Sequence, residues 1–386
     1  MDFELTADQK ELREAARTFA REQMAPVARE IEATSEPLSR EWKHKYGEMG
    51  FLGVNLPKEY GGLGLSDLDA LLVLEQFVQV HPGVAFPIFE ASVGPIKAIE
   101  KFGTDSLKKS LLPRVATGDA VVAVAMSEPE AGTALTDLKT RAEIKGDKVV
   151  VTGTKRWCSG GGKADGYLVY SRMGDGAGAK GIGAVYVPGD APGLTFGKRE
   201  QLMGFRGIYS ADMFFDKVEV PLDHVVVPEG GFPKLMQAFD LERCGNSTMC
   251  LGIAQAALDE ALDYVKERTQ FGKPLIEFQA VQMKIAEMAM QVDAARLLIW
   301  RAVTQAEHGF PSIANSSIAK CFSNEMVRDV TGKAMQLMGG YGYSKEYPAE
   351  QRFRDAWGWG IAGGAIDIQK VNIAAALAGK RFDQRR

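Results

Sequence analysis

The hydrophobic period of this chain changes twice, and no single kind of secondary structure can satisfy both periods. Up to about residue 118, apolar residues recur three and four apart, as at Leu12, Ala16, Phe19 and Ala20, the spacing that lines one face of an α-helix. Turn clusters such as Pro57-Lys58-Glu59-Tyr60-Gly61-Gly62 interrupt the pattern. From about 119 to 231 the period shortens toward two. VVVTGTKRWCS, ADGYLVYSRM, IGAVYVPG and ADMFFDKVEVP are short, β-rich and bounded by Gly, Pro and Asp. Their regular spacing predicts a compact sandwich or barrel of antiparallel strands. From about 232 to the end, helical spacing returns over 234–267 and 280–308. The reading is an α+β chain of three domains, 1–118 helical, 119–231 β and 232–386 helical. At 386 residues the chain exceeds the size at which one hydrophobic core stops growing.

Composition narrows the function. Net charge is −4, with 46% hydrophobic and 25% charged residues, so no basic footprint for nucleic acid or an anionic membrane is expected. The four cysteines (Cys158, Cys244, Cys250, Cys321) form no CxxC pair, which suits a reducing compartment. His44, His81, His224 and His308 lack ligand spacing, so no metal is expected. The N-terminal run MDFELTADQKELREAARTFA is charged and amphipathic, unlike a signal peptide. No apolar run approaches the roughly 20 residues that span a bilayer. A cytoplasmic protein is expected, and a mature mitochondrial form fits the same pattern.

One glycine motif is a decoy. Gly176-Ala177-Gly178-Ala179-Lys180-Gly181 fits GxGxxG, but that fingerprint works where a strand passes into a helix whose N-terminus faces a pyrophosphate. Here it runs into the strand-like 182–187 and reads as a hairpin loop. GGGKAD at 160–165 lacks the Lys-Ser/Thr ending of a phosphate-binding loop.

Four separated motifs carry the chemistry: Ser127-Glu128-Pro129-Glu130-Ala131-Gly132-Thr133, then Lys155-Arg156-Trp157-Cys158-Ser159-Gly160-Gly161-Gly162, then Arg268-Thr269-Gln270-Phe271-Gly272, and finally Gln336-Leu337-Met338-Gly339-Gly340-Tyr341-Gly342-Tyr343 with Arg354-Asp355 behind it. Each has a plainer alternative: a polar turn, a core Trp at a strand end, a cation complementing a helix C-terminus, a glycine loop. Together they cover nearly the whole length and resemble the acyl-CoA dehydrogenase family. That resemblance implies FAD, a middle β domain and a C-terminal four-helix bundle. It implies that Met126, Ser127, Gly132 and Thr133 hold the flavin pyrimidine and pyrophosphate, that Trp157 packs on the flavin, and that the Ser159 hydroxyl reaches N5. It further implies that Arg268, Gln270 and Phe271 bind the FAD of a neighbouring subunit in a homotetramer, with Arg supplying a planar fork for phosphate, and that Gln336, Gly339 and Gly340 also touch cofactor. Ala134, Ala365 and Asp367 depart from the family pattern.

Many members carry a catalytic carboxylate in a Tyr-Glu-Gly-Thr run where this chain has Ala362-Gly363-Gly364-Ala365. Some relatives, including isovaleryl- and long-chain acyl-CoA dehydrogenases, place the base on the first long helix of the last domain instead, and Glu242 in Phe239-Asp240-Leu241-Glu242-Arg243 matches that position. The residues argue the same way independently. On a helix the neighbours of Glu242 are Ala238, Phe239, Gly245 and Asn246, so no cation of its own helix can pair with it. Leu235, Phe239, Met249 and Ile253 make that broad face apolar. Desolvation there raises a carboxyl pKa, which suits a general base near neutrality. An ion pair with an Arg from another element is the alternative. The implied reaction is α-proton abstraction by Glu242 and β-hydride transfer to flavin N5, with the Gly363 N–H as one donor to the thioester oxygen. Glu90, Phe239, Asp240 and Arg243 are the expected substrate contacts, although Glu90 could equally be a surface or cap residue and Asp240 could simply pair with Arg243.

An electron-transfer flavoprotein is the implied electron acceptor. The same site run backwards would be an enoyl-CoA reductase, and an acyl group tethered to a carrier protein would need the same base. Two readings come from other classes. One is a desulfinase-like lyase, whose compared relative lacks the base and has an Arg in the acyl cavity, where this chain has Phe86 or its neighbours. The other is a non-catalytic subunit of a mixed tetramer.

Overall fold

The N-terminal third packs helices whose ends are written into the sequence. The computed structural model describes residues 3–306 and 309–382. Helix α1 (Ala7–Phe19) opens on a capping box between Thr6 and Gln9 and passes through a π turn, 20–24, into α2 (Ala25–Thr34). The expected stripe is only partly buried: Ala16 and Ala20 are inside, while Leu12 and Phe19 pack against the core from its edge. After α3 (Arg40–Glu48), a second capping box, Ser66 with Asp69, starts α4 (Asp67–Val80). Residues from Asp69 to Val78 are all buried, so α4 is an interior helix rather than an amphipathic one. Helices α5 (Pro82–Ser92), α6 (Pro95–Phe102) and α7 (Asp105–Ala116) complete the layer.

Strands follow: β1 (Val122–Ala125), β2 (Arg141–Lys145), β3 (Lys148–Ser159), β4 (Gly166–Arg172), β5 (Ile182–Pro188), β6 (Leu194–Phe196), β7 (Ser210–Pro221) and β8 (Val225–Val227). The sheet runs β6-β7-β3-β2-β4-β5-β8, with β1 beside β4. It is not antiparallel throughout, as the spacing predicted. β1 pairs β4 in parallel, Val122 opposite Gly166, and β2 continues along the same edge at Arg141 opposite Arg172. Strand periodicity reports which face a residue takes, not the direction of its neighbour, so this was not legible. The GxGxxG run falls in the β4–β5 hairpin, where 178–181 form a 3-10 turn. It binds no helix.

The last part is built on α8 (Phe232–Glu267), 36 residues long. A two-stranded hairpin, β9 (Thr269–Gln270) and β10 (Lys273–Pro274), leads to α9 (Gln279–Thr304), α10 (Ile313–Met338), the short α11 (Gly340–Tyr343), α12 (Ala349–Gly358) and α13 (Ile366–Ala378). The predicted 280–308 helix thus ends at Thr304, and His308 lies outside the described residues. Helix α8 packs most extensively on α10, and also on α4 and α9. The approach of α4 is close because position 252 is Gly. A Cβ there would stand 2.6 Å from Val78 Cβ and 3.0 Å from the Glu75 carbonyl oxygen. Since backbone cannot yield as a flexible side chain does, Gly252→Val should destabilise the protein by about 1–3 kcal/mol, read as a lower melting temperature by calorimetry.

Candidate active site

The flavin-type loop after β1 is braced from behind by a buried ion pair. Lys155 on β3 is fully buried, and its Nζ donates to the Met126 carbonyl and to Glu128 Oε1, both at 2.9 Å. Glu128 also accepts the Lys139 N–H at 2.6 Å and the Thr140 N–H at 2.9 Å. Burial pushes the Glu128 carboxyl up, but the Lys155 cation and these donors hold it below its ordinary value. Burial in turn lowers Lys155 against the pull of Glu128. The Arg156 N–H donates to the Ser127 carbonyl at 2.9 Å, tying the loop to the end of β3.

A bulge at that end turns Trp157 outward. Lys155, Trp157 and Ser159 would share a face in a regular strand. The β3–β7 register slips between Lys155 and Cys158, however, and Trp157 takes a left-handed φ of 60°. Cys158 goes inside, and the Trp157 ring is 52% exposed with the Arg156 guanidinium 4.2 Å from its centroid. At this strand end and in the loop tied to it, the hydroxyls of Ser127, Thr133 and Ser159 and the N–H groups of Gly132 and Thr133 have no hydrogen-bond partner among the described residues. A half-exposed indole beside free donors fits the face and the polar edge of FAD.

A second cluster forms at the far end of α8. Phe271 and Gly272 both take positive φ, as a two-residue hairpin turn requires, and Phe271 is 94% exposed. Arg268 lies 5.9 Å from the Tyr341 ring, which brings the hairpin with Gln270 to the glycine loop after α10. Gln336, Gly339 and Gly340 are exposed there, and a Cβ on either glycine would meet nothing within 4 Å.

The third cluster lies on the first turns of α8. Asp240 is buried and satisfied: it pairs with Arg243 and accepts the Ser316 hydroxyl at 2.6 Å. Burial still raises its pKa. The Arg243 guanidinium lies 5.4 Å from the Phe239 ring. Glu242 differs. It has no hydrogen-bond or ion-pair partner among the described residues, and burial pushes it from 4.5 to about 8 despite the cations of Lys320 and Arg243. Glu90, on α5, is buried with Oε2 unpartnered, and burial together with Glu242 raises its carboxyl well above the ordinary range. Gly363 faces the same stripe of α8. A Cβ on it would stand 3.7 Å from Asn246 Nδ2 and 3.8 Å from Phe239 Cζ, the residues one turn to either side of Glu242.

Sequence reasoning missed Lys320. It is fully buried on α10, donates to the Ala362 carbonyl at 2.5 Å and the Gly363 carbonyl at 2.6 Å, and is lowered to about 7, by burial first and then by Arg243. The argument that singled out Glu242 would have found it. Its helical neighbours Ser316, Ser317, Ser323 and Asn324 include no anion.

Known proteins resemble the chain along nearly its whole length. The N-terminal, middle and C-terminal domains of acyl-CoA dehydrogenase match residues 6–119, 123–218 and 229–378. The chain belongs to the acyl-CoA dehydrogenase family, flavoproteins that use FAD and act on CH–CH bonds. It is 39% identical to a 3-sulfinopropanoyl-CoA desulfinase of Paraburkholderia xenovorans, over 100% of this chain and 99% of that protein. It is 37% identical to an acryloyl-CoA reductase (NADH) of Anaerotignum propionicum, over 97% of this chain and 95% of the other. Among solved structures, butyryl-CoA dehydrogenase from Megasphaera elsdenii matches with a TM-score of 0.93 at 33% identity, covering 98% of this chain and 100% of that one. Among the described residues, no helix is long and apolar enough to cross a membrane, and no group of His, Cys, Asp and Glu could hold a metal.

Two outcomes follow from the buried charges. Glu128→Ala strands the Lys155 charge and two backbone donors, and should cost about 3–5 kcal/mol in denaturant unfolding, part of which Glu128→Ala/Lys155→Met recovers. Glu242 is raised in the folded state, so its contribution favours folding most at low pH and is lost as pH rises from about 4.5 to about 8. Glu242→Gln should therefore gain stability relative to the parent across that window, measured as the difference in melting temperature at successive pH values.

Proposed function

We propose that this protein is an acyl-CoA dehydrogenase in which Glu242 removes the α-proton of an acyl thioester. The observation that carries the reading is the contrast on α8: Asp240 pairs with Arg243 and accepts from Ser316, whereas the Glu242 carboxyl has no hydrogen-bond or ion-pair partner among the described residues and is pushed up to about 8. A carboxyl so placed accepts a proton readily once ionised, because burial outweighs the opposing charges of Lys320 and Arg243. FAD, held by Met126, Ser127, Gly132, Thr133, Trp157 and Ser159, supplies the acceptor for the β-hydrogen and two electrons. Gly363 offers its N–H to the thioester oxygen as charge develops there. Phe239, Asp240 and Arg243 border the acyl group, and Glu90, whose carboxyl burial raises well above its ordinary range, faces a polar acyl tail. By the same reading, Arg268, Gln270, Phe271, Gln336, Gly339 and Gly340 reach the FAD of a second subunit in a homotetramer, and electrons pass to an electron-transfer flavoprotein.

A second reading has an observation of its own, the full-length similarity to a 3-sulfinopropanoyl-CoA desulfinase. In it the same pocket would break the bond from the β carbon to sulfur, a proton taking the place of sulfur on that carbon and the SO2 taking up water to give sulfite, with no net change in the flavin. The similarity to an acryloyl-CoA reductase supports the reverse direction of the first reading. The experiment separates them. The flavin-loaded protein is mixed without oxygen with straight, branched and cyclic acyl-CoAs and, separately, with 3-sulfinopropanoyl-CoA. Bleaching of the visible flavin band by acyl-CoA is expected, slowed about 10²–10⁴-fold in Glu242→Gln and increasing with pH up to about 8 in the parent. Sulfite release without bleaching would sink the dehydrogenase assignment, and a Glu242→Gln variant that bleaches as fast as the parent would sink the assignment of Glu242 as the base.

A further inference from the structure

The segment that carries Gly363 is held by side chains at four successive points. Asn246 Nδ2 donates to the Trp359 carbonyl at 3.0 Å, Lys320 Nζ donates to the Ala362 and Gly363 carbonyls, and Gln369 Nε2 donates to the Gly364 carbonyl at 3.2 Å. The holders are themselves fixed. Asn324 donates to Asn246 Oδ1 at 2.9 Å and to the Lys320 carbonyl at 2.8 Å, and Ser317 donates to Gln369 Oε1 at 3.0 Å. Such a set is notable because Gly363 and Gly364 both have positive φ, 64° and 85°. Two adjacent glycines in left-handed backbone have more freedom to lose than any other pair. Something must pin them.

Lys320 holds the peptide that matters. The Ala362 carbonyl and the Gly363 N–H belong to one planar trans peptide and point in opposite directions. With the carbonyl fixed on Lys320 Nζ at 2.5 Å, the N–H is aimed away from the ammonium. It has no acceptor among the described residues. Gly363 at the same time faces the stripe of α8 that contains Phe239, Glu242 and Asn246. The Lys320 donor on the carbonyl also polarises the peptide and strengthens its N–H as a donor, most where the amine carries its proton.

We propose that Lys320 is the positioning residue of the oxyanion site: by binding the Ala362 and Gly363 carbonyls it aims the Gly363 N–H at the thioester carbonyl of bound acyl-CoA. The inference rests on the thioester reading above, yet its test needs no proton transfer. Crotonyl-CoA carrying a ¹³C carbonyl is bound to the oxidised, FAD-loaded protein, and the carbonyl stretch is followed by isotope-edited infrared difference spectroscopy. In the parent the stretch should lie below that of free crotonyl-CoA. In Lys320→Met, nearly the same size but without donors, it should return toward the free value. The rate of flavin reduction by a saturated acyl-CoA should fall about 100-fold with little change in KM. Lys320→Gln, which keeps a donor, should fall between the two. Thermal melting and flavin content report whether each variant is folded. A Lys320→Met protein that is folded, flavin-loaded and spectroscopically like the parent overturns the proposal. So does loss of flavin in both variants, since Lys320 would then support the fold rather than aim one amide. If Glu242→Gln instead reduces flavin normally, the base assignment fails while the carbonyl result stands.

Discussion

The burial of α8 (Phe232–Glu267) along nearly its whole length is the constraint from which the rest follows. A helix of 36 residues is about 54 Å long, and an apolar surface of that length needs neighbours on several sides. α10 and α9 cover it from within the C-terminal part, and α4 comes from the N-terminal part, close-packed at Gly252. Polar side chains on α8 are therefore removed from water wherever they fall. Each must find a partner or change its protonation state.

Three carboxyl groups show both solutions. Glu128 meets a buried lysine and two backbone donors and is held below its ordinary pKa. Asp240 meets Arg243 and Ser316. Glu242 has no hydrogen-bond or ion-pair partner among the described residues, and burial raises it against the charges of Lys320 and Arg243. The first two support structure, bracing a loop and an arginine. The third is left with its proton affinity unspent. Lys320 stands in the same cluster as the converse case, a buried ammonium whose ligands are backbone carbonyls rather than a carboxylate. That choice leaves Glu242 unneutralised and uses the cation to hold the Gly363 segment.

This arrangement also explains how one scaffold relates to differently named relatives. A desulfinase at 39% identity and a reductase at 37% both align over nearly the full chain. In the proposed reading the helices and sheet would position a thioester and a flavin, and the reaction would be chosen by the few groups that touch the α and β carbons. By that reading those groups would lie on α5, α8 and the 359–365 segment, so a handful of substitutions could redirect the chemistry without repacking the core.

The sequence by itself determined the three-part order, because hydrophobic period is a local property that each segment carries independently. It also determined that Glu242 has no partner within its own helix, since helical geometry fixes the neighbours three and four residues away. The outward turn of Trp157 was not legible, because it depends on a register slip between β3 and β7 that no strand pattern encodes. Nor was the parallel pairing of β1 with β4. The tertiary structure alone decided which charges meet: that Lys155 satisfies Glu128, that Glu90 comes up against Glu242, and that Lys320 reaches over to Ala362 and Gly363. These contacts join residues dozens of positions apart, and electrostatic energy depends on distance in space and on exclusion of water, neither of which a linear pattern records.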